Sequence, residues 1–210
     1  MATQSLPPIS SLPMANEETI KFVLDTVFEP SPEIHDLAIP VIRRGRGIPA
    51  NLGLTVDIPA APLSSTIPDD APFASYAEVI QHIGRLLGQL ATSPASPSSR
   101  GKLHSILGSH PRLGAKKVDS AQSRAEQAQL HTAEGGGVGE AESLASLNRE
   151  YEARFPGLRY VVFVNGRGRQ AIMEDMRLRI ERGDVRLEER EGIQAMVDIA
   201  LDRAGKLGST

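Results

Sequence analysis

The sequence predicts an all-α fold: a single-domain bundle of about seven or eight helices, with one short extended segment near residues 160–164. Three observations carry this. Apolar residues recur at intervals of three and four in stretch after stretch, the spacing that gathers them on one helical face. The apolar vocabulary is Leu, Ile, Val and Ala, with aromatics at 4% and no Trp, which suits helix packing better than a sandwich or barrel. Only Tyr160-Val161-Val162-Phe163-Val164 reads as a strand, and no second run offers it a partner. At 210 residues and 40% apolar content, the chain suffices for one domain with a real core.

In chain order, residues 1–15 read as a loose arm holding Pro7, Pro8 and Pro13, and the single helical domain spans 16–207. Asn16 is placed as an N-cap, with Glu17 and Glu18 in the favoured first turn. Ile20, Val23, Leu24, Val27 and Phe28 form one face, and Pro30 and Pro32 end that helix. A second short helix follows from Glu33 to about Arg43, irregular at Pro40. Residues 44–72 form a long Pro- and Gly-rich loop of the kind that is often functional. Ser75 and Glu78 make a capping box ahead of Val79, Ile80, Ile83, Leu86, Leu87 and Leu90. A Ser/Pro linker at 93–99 leads to a short helix bearing Leu103, Ile106 and Leu107. Further helices are expected from about Ser120 to Leu130, along Leu144, Leu147, Tyr151 and Phe155, along Ile172, Met173, Met176 and Ile180, and along Ile193, Met196, Val197, Ala200 and Leu201. Gly135-Gly136-Gly137 breaks the chain between the first two of these.

Composition excludes several classes. With no Cys, disulfides, thiolate zinc sites and a Cys nucleophile are ruled out. The net charge of −3 and pI near 6.0 argue against a nucleic-acid binder. The clusters at Arg43–Gly47 and Gly166–Arg169 then read as polar turns before RNA contacts. No apolar run approaches a membrane span, and Met1 to Pro13 lack the basic start and apolar stretch expected of a signal peptide. The expected location is the cytoplasm; a peroxisomal one stays open, although the C-terminus is not Ser-Lys-Leu.

The five histidines form no H-x-x-x-H pair, so no metal site is expected. No phosphate loop or nucleophile elbow is present. His82 and His104 read as packing or surface residues within helices. His110 differs, because Pro111 disfavours helical backbone before it and should stop the helix there. The imidazole can then stand at the mouth of a pocket and exchange a proton, or simply interact with the last helix carbonyls. Ser123-Arg124-Ala125-Glu126-Gln127 is the second candidate. Ser123 and Glu126 satisfy a capping box, and the same helix start could instead bind a ligand rich in N–H and C=O groups.

Four segments in order carry a resemblance: His110-Pro111-Arg112-Leu113; Ser123 to Gln127; Leu147-Asn148 through Tyr151 and Phe155; and Tyr160 to Val164. Phe28-Glu29-Pro30-Ser31-Pro32 and the helix from Phe73 to Leu90 add to it more weakly. Together they resemble the OHCU decarboxylases, which act on 2-oxo-4-hydroxy-4-carboxy-5-ureidoimidazoline. The resemblance implies an all-α homodimer that uses no metal or organic cofactor and releases CO2 to give (S)-allantoin. His110 matches the catalytic histidine, a proton donor, and Glu126 joins it as a catalytic candidate. Pro111, Ser123, Arg124, Ala125 and Gln127 match substrate-site positions, and Arg159, Tyr160, Val161, Val162 and Phe163 match a segment whose backbone touches substrate. Arg112 stands where the family often has an acid, and the run from Phe155 to Tyr160 is one residue longer. These departures are the support for an alternative: an inactive helical interaction module of the same fold.

Overall fold

The structure, a computed structural model, describes residues 5–45, 71–92, 97–114, 122–125 and 138–208. Most of the predicted 44–72 loop, linker positions 93–96 and the Gly135-Gly136-Gly137 break lie outside the described residues. Among the described residues every regular element is helical, as the periodicity predicts.

A 3-10 turn, Ile9–Met14, precedes α1, Glu17–Val27. Asn16 caps α1 as expected, its side chain accepting from the Thr19 N–H at 2.8 Å. α2 is Pro32–Arg44, capped by Ser31 with Pro32 in the first turn. The irregularity expected at Pro40 does not break α2. The carbonyl that loses its N–H partner belongs to exposed Asp36, where water can reach it. α3, Tyr76–Thr92, opens on the predicted box: the Glu78 N–H donates to Ser75 Oγ at 3.2 Å, and Glu78 Oε2 accepts from the Ala74 N–H at 2.8 Å. α4 is Pro97–Leu107, α5 is described over 122–125, α6 is Val138–Arg154, α7 is Arg169–Arg182 and α8 is Val185–Leu207.

α8 is the spine. Asp184 caps it by accepting from the N–H groups of Arg186 and Leu187, and α1, α3 and α4 all pack along it. α3 comes closest, because Gly84 presents no side chain where a Cβ would stand 2.6 Å from Val197 Cγ2. Ile20, Ile34, Ile83, Leu87, Met196 and Ala200 lie fully out of solvent in the shared core. Each buried Leu or Ile there contributes about 1.5–3 kcal/mol.

Residues 5–15, read from the sequence as a loose arm, are laid onto this core. Leu6 and Leu12 are fully buried, the Leu6 N–H reaches the Gly208 carbonyl at 3.2 Å, and Tyr76 Oη donates to the Pro7 carbonyl at 2.7 Å. Two apolar side chains spaced by six residues anchor a segment that its prolines make look irregular. The 160–164 run joins α6 to α7 without a strand ladder. It ends in a tight turn in which Asn165 and Gly166 both have positive φ, 40° and 75°, and the Arg167 N–H returns to the Val164 carbonyl at 2.8 Å. On α7 Ile172, Met173 and Met176 are buried as expected, together with Arg179; Ile180, expected on that face, is only half-buried. No helix among the described residues is long and apolar enough to cross a membrane.

Candidate active site

α4 closes at Leu107, and its end is satisfied locally: the Gly108 N–H bonds the His104 carbonyl at 2.8 Å and the Ser109 N–H bonds that of Ile106 at 3.1 Å. His110 follows outside the helix, where Pro111 directs it. The turn is then clamped. Arg159 Nη1 donates to the His110 carbonyl at 3.0 Å, and Asn148 Nδ2 donates to that of Leu113 at 3.0 Å. Arg112 forms a two-pronged ion pair with Glu152 of α6, with Nη2 2.6 Å from Oε2. The basic residue at 112 thus fastens the turn to a neighbouring helix.

This places the His110 ring, 5% exposed, in the wall of a cleft with about 410 Å³ of open space, solvent included. Of the sequence candidates, Pro111, Ser123, Tyr160, Val161 and Val162 line the same cleft; Leu113, Val164 and Ile199 complete it. Phe163 lines an adjoining hollow beside Asp202 and Lys206. Arg124 and Ala125 are exposed on α5, away from that lining. Arg159 acts through its guanidinium on the His110 backbone. Glu126 and Gln127 lie outside the described residues.

His110 Nε2 is buried with no hydrogen-bond partner among the described residues. A buried polar atom in that condition calls for a ligand or water. Burial, and then the charge of Arg203, push the imidazole down to about 3 from its ordinary 6.5, so the ring is neutral at physiological pH. The consequence for stability has a definite sign. Between pH 3 and 6.5 the unfolded chain holds a proton that the folded one does not, so stability falls as pH falls through that window. From pH 7 to 5, His110 alone is expected to cost about 2 kcal/mol. Urea unfolding at both pH values should show that loss in the wild type and a flatter profile in His110→Gln; equal slopes would mean the ring is not buried neutral.

Behind the cleft lies a cluster missed by sequence reasoning. Ser123 Oγ donates to Glu29 Oε1 at 2.5 Å, and Arg203 Nη2 donates to Glu29 Oε1 at 2.8 Å and to Ser123 Oγ at 2.9 Å. All three residues are buried. Ser123 was read as a possible N-cap, but residue 122 is already helical, so Ser123 stands inside the helix with its hydroxyl turned to Glu29. Glu29 has φ 107°, a backbone state that costs a side-chain-bearing residue roughly 1–3 kcal/mol and tends to mark functional sites. The signal for Arg203 was available: it continues the apolar stripe Ile193, Met196, Ala200 at the next helical step, and a charge there needs a buried partner.

A second buried network backs the opposite wall. Glu188 accepts from Tyr151 Oη at 2.5 Å, from Arg179, and from Arg182 Nη2 at 3.2 Å. Arg179 lies 4.8 Å over the Tyr160 ring and donates to the Val161 carbonyl at 3.4 Å, while Tyr160 Oη donates to Asp175. Burial and then Asp175 push the Tyr160 phenol well above its ordinary range, so it stays protonated. Among the other described histidines, His82 is buried edge-on to Phe73, His104 Nε2 lies 2.7 Å from buried Glu189, and His35 Nε2 lies 2.6 Å from Asp25.

No curated protein matches the chain. The family model described as OHCU decarboxylase matches residues 13–205, which spans the clamped His110 turn, the Glu29–Ser123–Arg203 cluster and the 160–164 wall. The chain belongs to the OHCU decarboxylase family, the decarboxylases of urate degradation.

Proposed function

We propose that this chain converts 2-oxo-4-hydroxy-4-carboxy-5-ureidoimidazoline to (S)-allantoin and CO2, with His110 as the proton-handling group. The observation that carries this reading is the buried, neutral imidazole of a residue lining the cleft, its Nε2 without a hydrogen-bond partner among the described residues.

The chemistry asks little of the protein beyond placement. The carbon that loses CO2 carries a hydroxyl and adjoins an unsaturated ring group, so the electrons left behind delocalise into the ring. The enzyme has to turn the carboxylate out of the ring plane, stabilise the developing charge and return one proton to one face. His110 assists at the hydroxyl and relays that proton. The incoming carboxylate favours the protonated imidazole, offsetting the burial that keeps the empty site neutral. Pro111 shapes the pocket floor, and the backbone of Arg159, Tyr160, Val161, Val162 and Phe163 contacts the ring and ureido groups. By the same resemblance Arg124 and Ala125 belong to the substrate site, Gln127 satisfies amide groups, and Glu126 accepts ureido or ring N–H groups. The enzyme works as a homodimer without metal or organic cofactor, as the resemblance implies.

The test generates substrate in place by oxidising and hydrolysing urate, and follows circular dichroism. Rapid appearance of the (S)-allantoin signal on adding wild-type protein is the expected result. Slow racemic product, no faster than the spontaneous reaction, would hand the case to the interaction-module reading. Within the site, Glu126→Gln is expected to lower kcat/KM by about 10- to 100-fold, the worth of a hydrogen bond to a charged group. Unchanged kinetics would remove the charged-acceptor role.

A further inference from the structure

We propose that the Arg112–Glu152 ion pair positions the His110 imidazole for the reaction, with Glu152 of α6 acting as a positioning residue that does not itself touch the ligand. The starting point is what holds the ring. His110 Nε2 has no hydrogen-bond partner among the described residues, so no bond at that atom aims the imidazole. Its direction is set by packing and by the backbone from which it hangs. Pro111 stiffens that backbone, since its ring fixes its own φ and restricts the residue before it. The turn from His110 to Leu113 therefore moves more nearly as one body, and three ties fix where that body lies. Arg159 Nη1 holds the His110 carbonyl at 3.0 Å, Asn148 Nδ2 holds the Leu113 carbonyl at 3.0 Å, and Glu152 grips the Arg112 guanidinium with both carboxylate oxygens. None of the three comes from α4, the helix that delivers the turn. Asn148 and Glu152 stand four residues apart on α6 and so share a face.

The tie to Glu152 differs from its neighbour in what it can be for. Asn148 is buried and also bonds the Leu144 carbonyl of its own helix, so it serves the core as well as the turn. The Arg112 and Glu152 side chains are 55% and 26% exposed, and an ion pair so placed adds little to stability. Its two parallel bonds are nonetheless the arrangement that fixes orientation. Neither residue lines the cleft, whereas His110, Pro111 and Leu113, which flank Arg112 in the chain, all do. A tie that contributes little to folding, set among three cleft residues, acts on where those residues stand. The base at 112 is thereby matched to the acid at 152: an acid at 112 would face Glu152 with like charge, and the turn would lose that tie.

The inference takes its reaction from the decarboxylase reading, so its test pairs kinetics with a signal that needs no turnover. Arg112 has a further interaction besides Glu152, and exchanging the two charges therefore tests the pair better than deleting either. Arg112→Glu, Glu152→Arg and the double exchange are compared with wild type by steady-state kinetics on freshly generated substrate and by melting temperature. The imidazole Cε1–H resonances of histidine-labelled protein are recorded alongside, the His110 signal being assigned by its loss in His110→Gln. Each single reversal is expected to lower kcat about tenfold, because a misplaced group costs rate before it costs binding, with KM changed by less than about threefold. Melting temperatures should stay within about 3 °C of wild type. The His110 signal should move while those of His82 and His104 stay in place. The double exchange should return the His110 signal and bring kcat back to within about threefold of wild type. Single reversals with wild-type kcat, an unmoved His110 signal, a double exchange no better than the slower single, or a loss of kcat that only follows a loss of melting temperature would each overturn the inference. A wild type no faster than the spontaneous reaction would sink the decarboxylase reading alone, and the His110 signal would then decide the inference by itself.

Discussion

His110→Gln is expected to lose about 10²- to 10⁴-fold in the rate of (S)-allantoin formation, the range that one positioned acid–base group supplies. Glutamine keeps a polar group near the position of Nε2 but cannot cycle a proton near neutral pH. The fold should survive, because the substitution exchanges one neutral buried group for another; a stability change within about 2 kcal/mol at pH 7 is expected. The clamp on the turn is also untouched, since Arg159 holds the residue-110 carbonyl and Pro111 sets the backbone. Loss of activity in a folded variant therefore isolates the ring. The product adds a second readout: what little forms should approach the racemate, because the proton then comes from solvent. A His110→Gln protein that still makes (S)-allantoin at the wild-type rate would remove the imidazole from the mechanism.

Why His110 was legible and its supporting cluster was not follows from the reach of the interactions. The His110–Pro111 turn is a local event: a proline acts on the residue before it, and that rule needs only two adjacent letters. The helices were legible for a related reason, since α1, α3 and α8 each repeat their apolar face several times. The Glu29–Arg203 pair joins residues 174 positions apart. No local rule connects them: Glu29 looks ordinary before a proline turn, and Arg203, although it stands on the apolar stripe of α8, carries no sign of which residue pairs with it. On α7 the face of Ile172, Met173 and Met176 was read correctly, and only its last position was misread, for the same kind of reason. Ile180 is the more apolar candidate, but Arg179 finds Glu188 across the interface and takes the inner position. Charged residues on an apolar stripe were the sequence signal, at Arg179, Glu189 and Arg203 alike.

That misread position carries the largest expected effect on stability. Glu188 is fully buried and balances Arg179 while also accepting from Tyr151. Glu188→Ala leaves the Arg179 guanidinium buried without that counter-charge, and the loss expected by urea unfolding is about 3–5 kcal/mol. At this chain length that corresponds to a fall of roughly 10 °C in melting temperature. The damage should reach the cleft, because Arg179 holds the Val161 carbonyl and covers the Tyr160 ring. Left with only the partly exposed Glu191 and Asp175 as counter-charges, the arginine is drawn toward water and releases the wall against which substrate would lie. The double replacement Arg179→Met with Glu188→Leu separates the two consequences. Removing both charges together avoids the desolvation penalty, so stability should return to within about 1–2 kcal/mol of wild type. The tie to Val161 is still gone, so kcat/KM should remain depressed while the protein melts almost normally. A double variant as unstable as Glu188→Ala would mean that the charges are not what the single change unbalances. A double variant with full activity would mean that packing alone, without Arg179, fixes the 160–164 wall.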